Sequence, residues 1–281
     1  MKEALFYEKA ANQSIKCRLC PHHCVIGEGK VGLCGVRENQ GGKLYTLNYG
    51  KLSALQIDPI EKKPLYSFMP NTQTFSVGSY GCNLGCIFCQ NFRIAKSVPE
   101  TVAKEPEEIV LLAEKMGTPS ISYTYNEPAM FYEFVYDTAK LAKQQGLKNV
   151  MVTNGYIEKE PLQTLMPYMD ALNIDLKSFR NETYQKYCNG HLSPVMDTIR
   201  FACRHSHVEV TTLVVTEMND DEEELVELFQ WLAAVDENIP LHLSRYFPRY
   251  RYDKEPTEVS FMQKMKQEAE RFLNHVFLGN V

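Results

Sequence analysis

The chain lacks the long apolar runs of a membrane protein. None of its hydrophobic stretches approaches the roughly 20 residues that a bilayer-spanning helix needs. Its first residues, MKEALFYEKAANQ, contain no hydrophobic signal core. We therefore expect a cytoplasmic protein without a membrane partner, in a compartment where thiols stay reduced.

Basic residues are few relative to acidic ones. Lys and Arg number 30 against 35 Asp and Glu, which gives a formal net charge of −5. The basic stripe that nucleic-acid-binding proteins carry is missing, and this argues against a nucleic-acid partner. There is no internal repeat and no low-complexity tract. A chain of 281 residues can hold one large α/β domain, alone or with a small appendage.

Cysteine, by contrast, is plentiful. The chain has nine, and seven of them lie before residue 90 in two clusters. In a reducing compartment such clusters indicate metal ligands rather than disulfides. The other two, Cys188 and Cys203, are isolated in the sequence, and we expect them to be ordinary semi-buried thiols rather than ligands.

The second cluster lies in the run GCNLGCIFCQN and consists of Cys82, Cys86 and Cys89. Three thiolates on one loop can hold three irons of a cubane iron–sulfur cluster and leave the fourth iron open. A closed structural site would need a fourth ligand, and none is near in the sequence. An open iron favours catalysis. The alternative is a zinc knuckle that takes its fourth ligand from a distant part of the chain.

The first cluster is formed by Cys17, Cys20, Cys24 and Cys34. Four thiolates close a coordination sphere, so we expect a structural zinc or a closed iron–sulfur cluster. The spacing matches neither ferredoxin pattern and slightly favours zinc. The adjacent His22 and His23 are not needed as ligands. Because a small Cys-rich segment buries little surface, metal binding would supply much of its stability.

The sequence divides into a Cys-rich module with a proline-containing linker at 1–70 and a regular part at 71–281. Six strands are predicted in the second part, at Thr74–Tyr80, Ser120–Tyr125, Asn149–Thr153, Ala171–Leu176, Val208–Val215 and Leu241–Leu243. Helices are predicted between them at Pro106–Met116, Pro128–Gln145, Asp220–Ala234 (capped by Asn219) and Thr257–His275. This alternation predicts parallel strands with right-handed crossovers, as a partial barrel or an open sheet.

Polar residues follow the predicted strands at the ends where functional loops lie. Glu127 follows the second strand, and its alternative role is to cap a helix. Thr153 and Asn154 end the third strand. Alternation along the fourth strand points Asn173, Asp175 and Lys177 to one side, as cavity residues or an internal ion pair. Later strands add further candidates, each of which is as well explained by a structural role: Thr211, Thr212, His242 and Arg245.

The spacing CxxxCxxC, with Phe88 before the last cysteine, resembles the signature of radical S-adenosylmethionine (SAM) enzymes. Together with the first cluster and the segments TYNEP, TNG and HLSRYFPRY, it closely resembles the radical SAM member of the AmmeMemoRadiSam group. That group is related to the pyruvate formate-lyase activating enzymes. The likeness runs from Cys17 to Tyr250, but Tyr125 and Asn126 replace two glycines of the superfamily's Gly-Gly-Glu-like element.

The resemblance implies an α/β fold: a partial (β/α)6 TIM-like barrel of the radical SAM type behind a small N-terminal metal-binding module. It implies a [4Fe–4S] cluster on the three cysteines of the second cluster and SAM on the open iron. The residues implied to line the SAM and substrate pocket are Asn126, Glu127, Thr153, Asn154, Asp175 and Lys177.

The implied reaction is reductive cleavage of SAM to a 5′-deoxyadenosyl radical that abstracts hydrogen from a substrate. A flavodoxin or ferredoxin is the implied electron donor. The substrate is left open between a small molecule and a protein, the latter including glycyl-radical formation. A different interpretation is an iron–sulfur or zinc protein that stores or transfers electrons without SAM chemistry.

Overall fold

The computed structural model describes all 281 residues. The strands are β1 (Lys2–Glu3), β2 (Tyr7–Lys9), β3 (Ile15–Cys17), β4 (Val25–Ile26), β5 (Arg37–Gln40), β6 (Lys43–Thr46), β7 (Lys51–Leu52), β8 (Ala54–Pro59), β9 (Gln73–Gly78), β10 (Val102–Ala103), β11 (Ser120–Tyr123), β12 (Lys148–Thr153), β13 (Ala171–Asp175), β14 (His207–Val214), β15 (Leu241–Arg245) and β16 (Val276–Gly279). The α-helices are α1 (Phe92–Ala95), α2 (Pro106–Lys115), α3 (Tyr132–Gln144), α4 (Lys159–Leu165), α5 (Asn181–Thr183), α6 (Leu192–Ala202), α7 (Glu222–Asp236) and α8 (Val259–Ala269). No helix is both long and apolar enough to cross a bilayer.

The centre of the molecule is an eight-stranded sheet in the order β16-β15-β14-β13-β12-β11-β9-β8. Every neighbouring pair from β9 to β16 is parallel, and only β8 runs antiparallel, against β9 at one edge. All six predicted strands are present. The two edge strands were not anticipated, because β8 carries a proline and charged residues and β16 has only four residues.

Helices connect the parallel strands, as the strand–helix alternation predicts. α2 begins with Pro106 in its first turn and has a capping box in which Glu105 and Glu108 satisfy each other's backbone amides. The predicted helix at 128–145 forms as a 3-10 turn, Pro128–Phe131, followed by α3. The helix predicted to run from 257 to 275 is shorter in the structure, where α8 spans only Val259–Ala269.

The predicted cap of α7 was wrong. Asp221 caps this helix and accepts a hydrogen bond from the Glu224 amide at 2.9 Å. Asn219 instead braces the loops beside it, since its amide nitrogen donates to the carbonyl oxygens of Lys177 (2.7 Å) and Leu213 (2.8 Å). Asn219 and Asp221 are both residue types that favour helix N-caps, and they are two positions apart, so local sequence does not decide which of them caps the helix.

The N-terminal segment forms two small antiparallel sheets, in the orders β1-β6-β5 and β2-β3-β4. Its apolar residues Ile15, Leu19 and Leu44 belong to the same cluster of 59 buried residues as the central sheet. A fully buried ion pair joins the two parts, because Arg37 of β5 lies 2.5 Å from Glu133 of α3. The segment therefore packs onto the part of the chain that forms the central sheet, within one core.

Candidate functional site

The carboxyl ends of the parallel strands surround a cavity of about 280 Å³. Its walls include residues that follow β9 at one side and Asn280, which follows β16, at the other. Strands this far apart in the sheet order can share one cavity only if the sheet curls. Nine residues predicted from the sequence line it: Cys82, Cys86, Cys89, Asn126, Glu127, Thr153, Asn154, Asp175 and Lys177.

The three cysteines lie on the loop that follows β9, and the protein environment favours their protonated form. Burial, together with the nearby Glu127 carboxylate, raises the pKa of Cys82 to about 12. Burial also raises the pKa of Cys89. Since metals bind the thiolate form, loading this loop with a cluster must release protons.

The path of the cysteine loop is fixed by contacts from outside it. Asn126 accepts a hydrogen bond from the Ser79 amide at 2.8 Å and donates to the Gly81 carbonyl at 3.1 Å. Gly81 has φ +89°, and a side-chain carbon there would lie 2.7 Å from Val36 Cγ1. Lys96 donates to the Leu84 carbonyl. Asn126 thus lies at the cavity while both ends of its amide hold the start of the loop.

Cys188 is not the isolated thiol that the sequence indicated. It is fully buried, and its hydrogen bond to Cys86 is the largest cause of the raised pKa of the Cys86 thiol. The Cys188 carbonyl also accepts a hydrogen bond from the Gly85 amide at 2.6 Å. Cys188 ends the π-helical turn Tyr184–Cys188, a type of irregularity often found at functional sites. Cys203 is partly buried, as expected.

Glu127 both caps a helical turn and lines the cavity, the two roles considered for it from the sequence. Its Oε1 accepts hydrogen bonds from the Ala129 amide (3.0 Å) and the Thr153 hydroxyl (2.7 Å), and its Oε2 accepts one from the Asn154 amide (2.8 Å). The residue caps the 3-10 turn at 128–131 and also faces the cavity. Burial raises its pKa, although these hydrogen bonds oppose the shift. Oε2 keeps one lone pair for a ligand.

Tyr125 shows how the chain replaces a glycine at this strand end. Its φ is +73°, in the left-handed region that favours glycine. The hydroxyl donates to Asp58 Oδ2 at 2.5 Å, and Lys63 Nζ lies 4.6 Å from the ring centroid. These contacts with β8 and the turn after it hold the backbone of Tyr125 in that conformation. A tyrosine can therefore stand where related enzymes have a glycine.

Asp175 and Lys177 form an ion pair inside the cavity, with a distance of 2.9 Å between Nζ and Oδ2. Burial opposes the charge of Lys177, but the Asp175 carboxylate outweighs it, so the pKa of Lys177 lies well above its usual value. Asn173 does not reach the cavity, because its amide joins the Pro64 carbonyl and the Thr211 hydroxyl.

The remaining candidates divide between the cavity and positions outside it. Thr211 lines the cavity, whereas the Thr212 hydroxyl donates to the Leu176 carbonyl. His242 is buried outside it, with Nε2 2.6 Å from Glu209 Oε2. Arg245 donates from Nε to the Thr257 carbonyl at 2.7 Å. Four further lining residues were not singled out from the sequence: Gln90, Asn91, Ser244 and Asn280. The first three lie within the quoted segments, but nothing in those segments marked them as cavity residues.

The first cysteine cluster lines a second, narrow cavity, and all four predicted ligands take part: Cys17, Cys20, Cys24 and Cys34. Burial raises the pKa of Cys20 to about 12 and that of Cys34 to about 11. As the side chains stand, no three His, Cys, Asp or Glu groups anywhere in the chain meet closely enough to hold a single metal ion. Closure around one ion would therefore require the thiols to move inward.

A polar atom without a partner lies at this second cavity. Arg37 lines it and uses Nη1 and Nη2 to donate to the Leu5 carbonyl and to Glu133, but its buried Nε has no partner. Metal-bound thiolates accept hydrogen bonds, and a buried N–H in the wall of this cavity is a donor that such a thiolate could use. The donor favours a thiolate-bound centre here, whereas the present separation of the thiols does not.

Comparison with known proteins agrees with this geometry. A model of the radical SAM superfamily matches residues 76–229, which is more than half of the chain. The uncharacterized protein MJ0808 of Methanocaldococcus jannaschii is 44% identical over 288 residues, covering 100% of this chain and 86% of that protein.

Two solved structures share the fold. A domain of pyruvate-formate lyase-activating enzyme from Bacteroides vulgatus superposes with a TM-score of 0.50 at 22% identity, over 57% of this chain and 99% of that chain. A radical SAM methyltransferase from Sphaerobacter thermophilus superposes with a TM-score of 0.59 at 15% identity, over 75% and 67% of the two chains. The chain belongs to the radical SAM superfamily.

Proposed function

We propose that this chain is a radical SAM enzyme whose [4Fe–4S] cluster is held by Cys82, Cys86 and Cys89. One observation carries the proposal. One buried thiol, two partly buried thiols and a set of amide, carboxylate and ammonium groups line one cavity at the carboxyl ends of the strands. Three thiolates leave one iron of a cubane free, and the polar groups of the cavity would then be available to a ligand on that iron.

The cluster and SAM together supply an electron and a 5′-deoxyadenosyl radical that abstracts hydrogen. The protein's own residues bind and orient. Glu127 has one acceptor position left on Oε2, which suits the ammonium group of an amino acid such as the methionine part of SAM. Asn154 donates to Cys82 Sγ at 3.6 Å and helps to hold that ligand in place.

Asp175 and Lys177 offer one acceptor and one donor in the same cavity. The side chain of Asp175 is 37% exposed and that of Lys177 is 16% exposed, so either group can turn toward a ligand. We assign Thr153 to the support of Glu127, since its hydroxyl donates to Oε1. The substrate is a small molecule or a protein segment, with formation of a glycyl radical as one option. A low-potential flavodoxin or ferredoxin is the proposed donor.

The four cysteines of the first cluster are proposed to hold a closed metal centre, either zinc or an iron–sulfur cluster. Arg37 Nε supports the assignment, because a metal-bound thiolate would satisfy this buried donor. The division of the chain at residue 70 stays a prediction. Metal analysis distinguishes the two centres: about one zinc and four irons per chain, or about eight irons without zinc.

The decisive experiment for the reaction is SAM cleavage. The protein is reconstituted anaerobically, reduced with dithionite and incubated with SAM, and 5′-deoxyadenosine is measured. We expect release that is absent in Cys86→Ala and retained in Cys203→Ala, a cysteine outside both cavities. Equal, background release from wild type and Cys86→Ala would leave only the metal-binding or electron-transfer interpretation.

A further inference from the structure

Exposed basic side chains surround the cysteine loop that follows β9. They come from three segments, at 90–97, 184–190 and 247–254, which hold six Lys and Arg and a single acidic residue. The whole chain, in contrast, has 30 Lys and Arg against 35 Asp and Glu. Of the six, Lys254 pairs with Glu217 at 2.6 Å. The other five are exposed and have no ion-pair partner in the chain, and we call them the basic patch: Arg93, Lys96, Lys186, Arg249 and Arg251.

Contacts join the three segments to the cysteine loop and to one another. The Arg251 amide donates to the Ile87 carbonyl at 2.9 Å, and the Ile87 amide donates to the Tyr187 carbonyl at 3.1 Å. The rings of Phe92 and Tyr250 stack with their centroids 4.8 Å apart. The basic patch is therefore one continuous surface around Ile87, a residue that lies between two of the predicted cluster ligands in the sequence.

Neighbouring aromatic rings and a tight turn hold the charges of the patch in place. The guanidinium of Arg251 lies 5.0 Å from the centroid of the Tyr250 ring, and Lys186 Nζ lies 4.6 Å from the centroid of the Tyr187 ring. The turn at 249–252 is closed by a hydrogen bond from the Arg249 amide to the Tyr252 carbonyl at 3.0 Å. This support lowers the entropic cost of ordering the basic side chains when a partner binds.

The basic patch lies outside the cavity that the three cysteines line. None of its five residues is among the residues that form the wall of that cavity. A substrate must enter the cavity, because the proposed reaction takes hydrogen from it there, whereas an electron only has to cross the cysteine loop. The position of the patch therefore favours a partner that delivers electrons over a partner that is itself the substrate.

We propose that the basic patch is the docking surface of the electron donor, a redox protein with acidic residues around its redox group. Interfaces between redox partners are small, and complementary charge steers the two proteins together. The net charge of the chain, −5, would otherwise repel an acidic partner. The inference rests on the proposed function and adds the surface through which the reductant acts.

The test compares reductants on the full, reconstituted enzyme. Release of 5′-deoxyadenosine from SAM is measured with dithionite and, separately, with a reduced acidic flavodoxin and a reduced acidic ferredoxin. The patch variant, Arg249→Glu with Arg251→Glu, reverses two charges and keeps the backbone contact to Ile87. The control variant, Lys159→Glu with Arg204→Glu, makes the same change of charge at two exposed residues on the wall of a different surface cavity.

We expect the patch variant to lose at least about tenfold in the rate that the two redox proteins support. It should keep the wild-type rate with dithionite, a small molecule that needs no docking surface, and the control variant should match wild type throughout. Wild-type rates with the redox proteins should fall as sodium chloride rises from about 50 mM to about 300 mM, because salt screens exposed charges. Lys186→Glu, on a separate segment, should lose about threefold.

Equal rates with the redox proteins in the patch variant and wild type would overturn the assignment and leave the patch to a substrate protein or another partner. So would a comparable loss with dithionite, since the patch would then support the cysteine loop itself. Failure of both redox proteins to reduce a wild type that dithionite activates would overturn it as well.

Should the patch variant not fold, an unchanged rate in Lys186→Glu decides against the proposal. Failure of the proposed function is distinct, because wild type would then release no 5′-deoxyadenosine with dithionite.

Discussion

The thiol of Cys188 is hydrogen-bonded to the thiol of Cys86, a proposed cluster ligand from a different strand-end loop. The contact is fixed by the backbone, because the Gly85 amide donates to the Cys188 carbonyl at 2.6 Å. A side-chain carbon on Gly190 would lie 2.6 Å from Leu84 Cδ2, so the segment that carries Cys188 packs directly against the cysteine loop.

This contact predicts an electrochemical effect. In the metal-free protein this hydrogen bond favours the protonated Cys86, which is the donor. A cluster would take the proton from Cys86 and leave the Cys188 thiol as the donor, and a hydrogen bond to a cluster thiolate stabilises the more negative, reduced state. Cys188→Ala should therefore lower the midpoint potential, by about 40 mV if the bond contributes about 1 kcal/mol. Redox titration followed by electron paramagnetic resonance measures the shift. Cys203→Ala serves as the matched control, and equal potentials in the two variants would contradict the assignment.

Glu127→Gln separates capping from ligand binding. The amide keeps one acceptor for Ala129 or Thr153, but its NH2 group faces the Asn154 amide, so we expect a loss of about 1–3 kcal/mol in stability. It also removes the charge that would hold the SAM ammonium group, and the SAM dissociation constant should rise at least about tenfold. Thr153→Ala, which removes one donor and no charge, is the control.

An unchanged SAM dissociation constant in a destabilised Glu127→Gln protein would show that the carboxylate only caps the turn. Iron content is measured in parallel. If the variant does not bind the cluster, its weak SAM binding would reflect a damaged cysteine loop and not the loss of the Glu127 carboxylate.

Cluster assembly should depend on pH. Burial and neighbouring negative groups hold the pKa values of the three loop thiols above their usual range, about 12 for Cys82, so at neutral pH they are protonated without metal. Binding releases those protons, and a rise in pH favours it. Iron incorporation should increase between about pH 6.5 and about pH 8.5. A flat profile would show that deprotonation does not limit assembly.

Glu209 predicts the acid sensitivity of the fold. Burial opposes its charge, but hydrogen bonds from His207, His242 and two backbone amides prevail and lower its pKa to about 2. Because the pKa is lower in the folded state, the ionised Glu209 stabilises the folded state at pH values above the usual carboxyl pKa near 4.5. This stabilisation is lost as the pH falls toward 2. At pH 7 it contributes about 3 kcal/mol to the free energy of unfolding.

Glu209→Gln should therefore be clearly less stable than wild type at pH 7, and the difference should shrink below about pH 4.5. Chemical denaturation at several pH values measures it. Glu255→Gln provides a control with no expected change, because Glu255 is exposed. A difference that stays constant down to pH 3 would assign the loss to packing rather than to ionisation.

Much of the site follows from local sequence, because the carboxyl ends of parallel strands meet at one edge of a sheet. Cys82, Glu127, Asn154 and Asp175 could be placed at a common rim from strand positions alone. Local pattern could not show how those residues are supported. Asn126 holds the cysteine loop and Asn219 braces a neighbouring loop, and both roles depend on residues distant in sequence.

Two further relationships belong to the same class: the Gly85 amide donates to the Cys188 carbonyl, and Asn83 lines the cavity of the first cysteine cluster. Each joins two segments that packing brings together, and residue spacing does not predict it. His242 was a candidate because histidine often takes part in catalysis. In the structure it is paired with Glu209 on the neighbouring strand β14 and does not reach the cavity. A short edge strand such as β16 has too few residues for an alternation of apolar and polar side chains to be recognised in the sequence.

The most direct test of an iron that is open to SAM is electron paramagnetic resonance of the reduced, reconstituted protein with SAM labelled at its carboxylate oxygen or amino nitrogen. We predict a changed signal on SAM addition, with hyperfine coupling to the label, in wild type. Superimposable spectra with and without SAM, at a full complement of about four irons on the loop, would contradict the account.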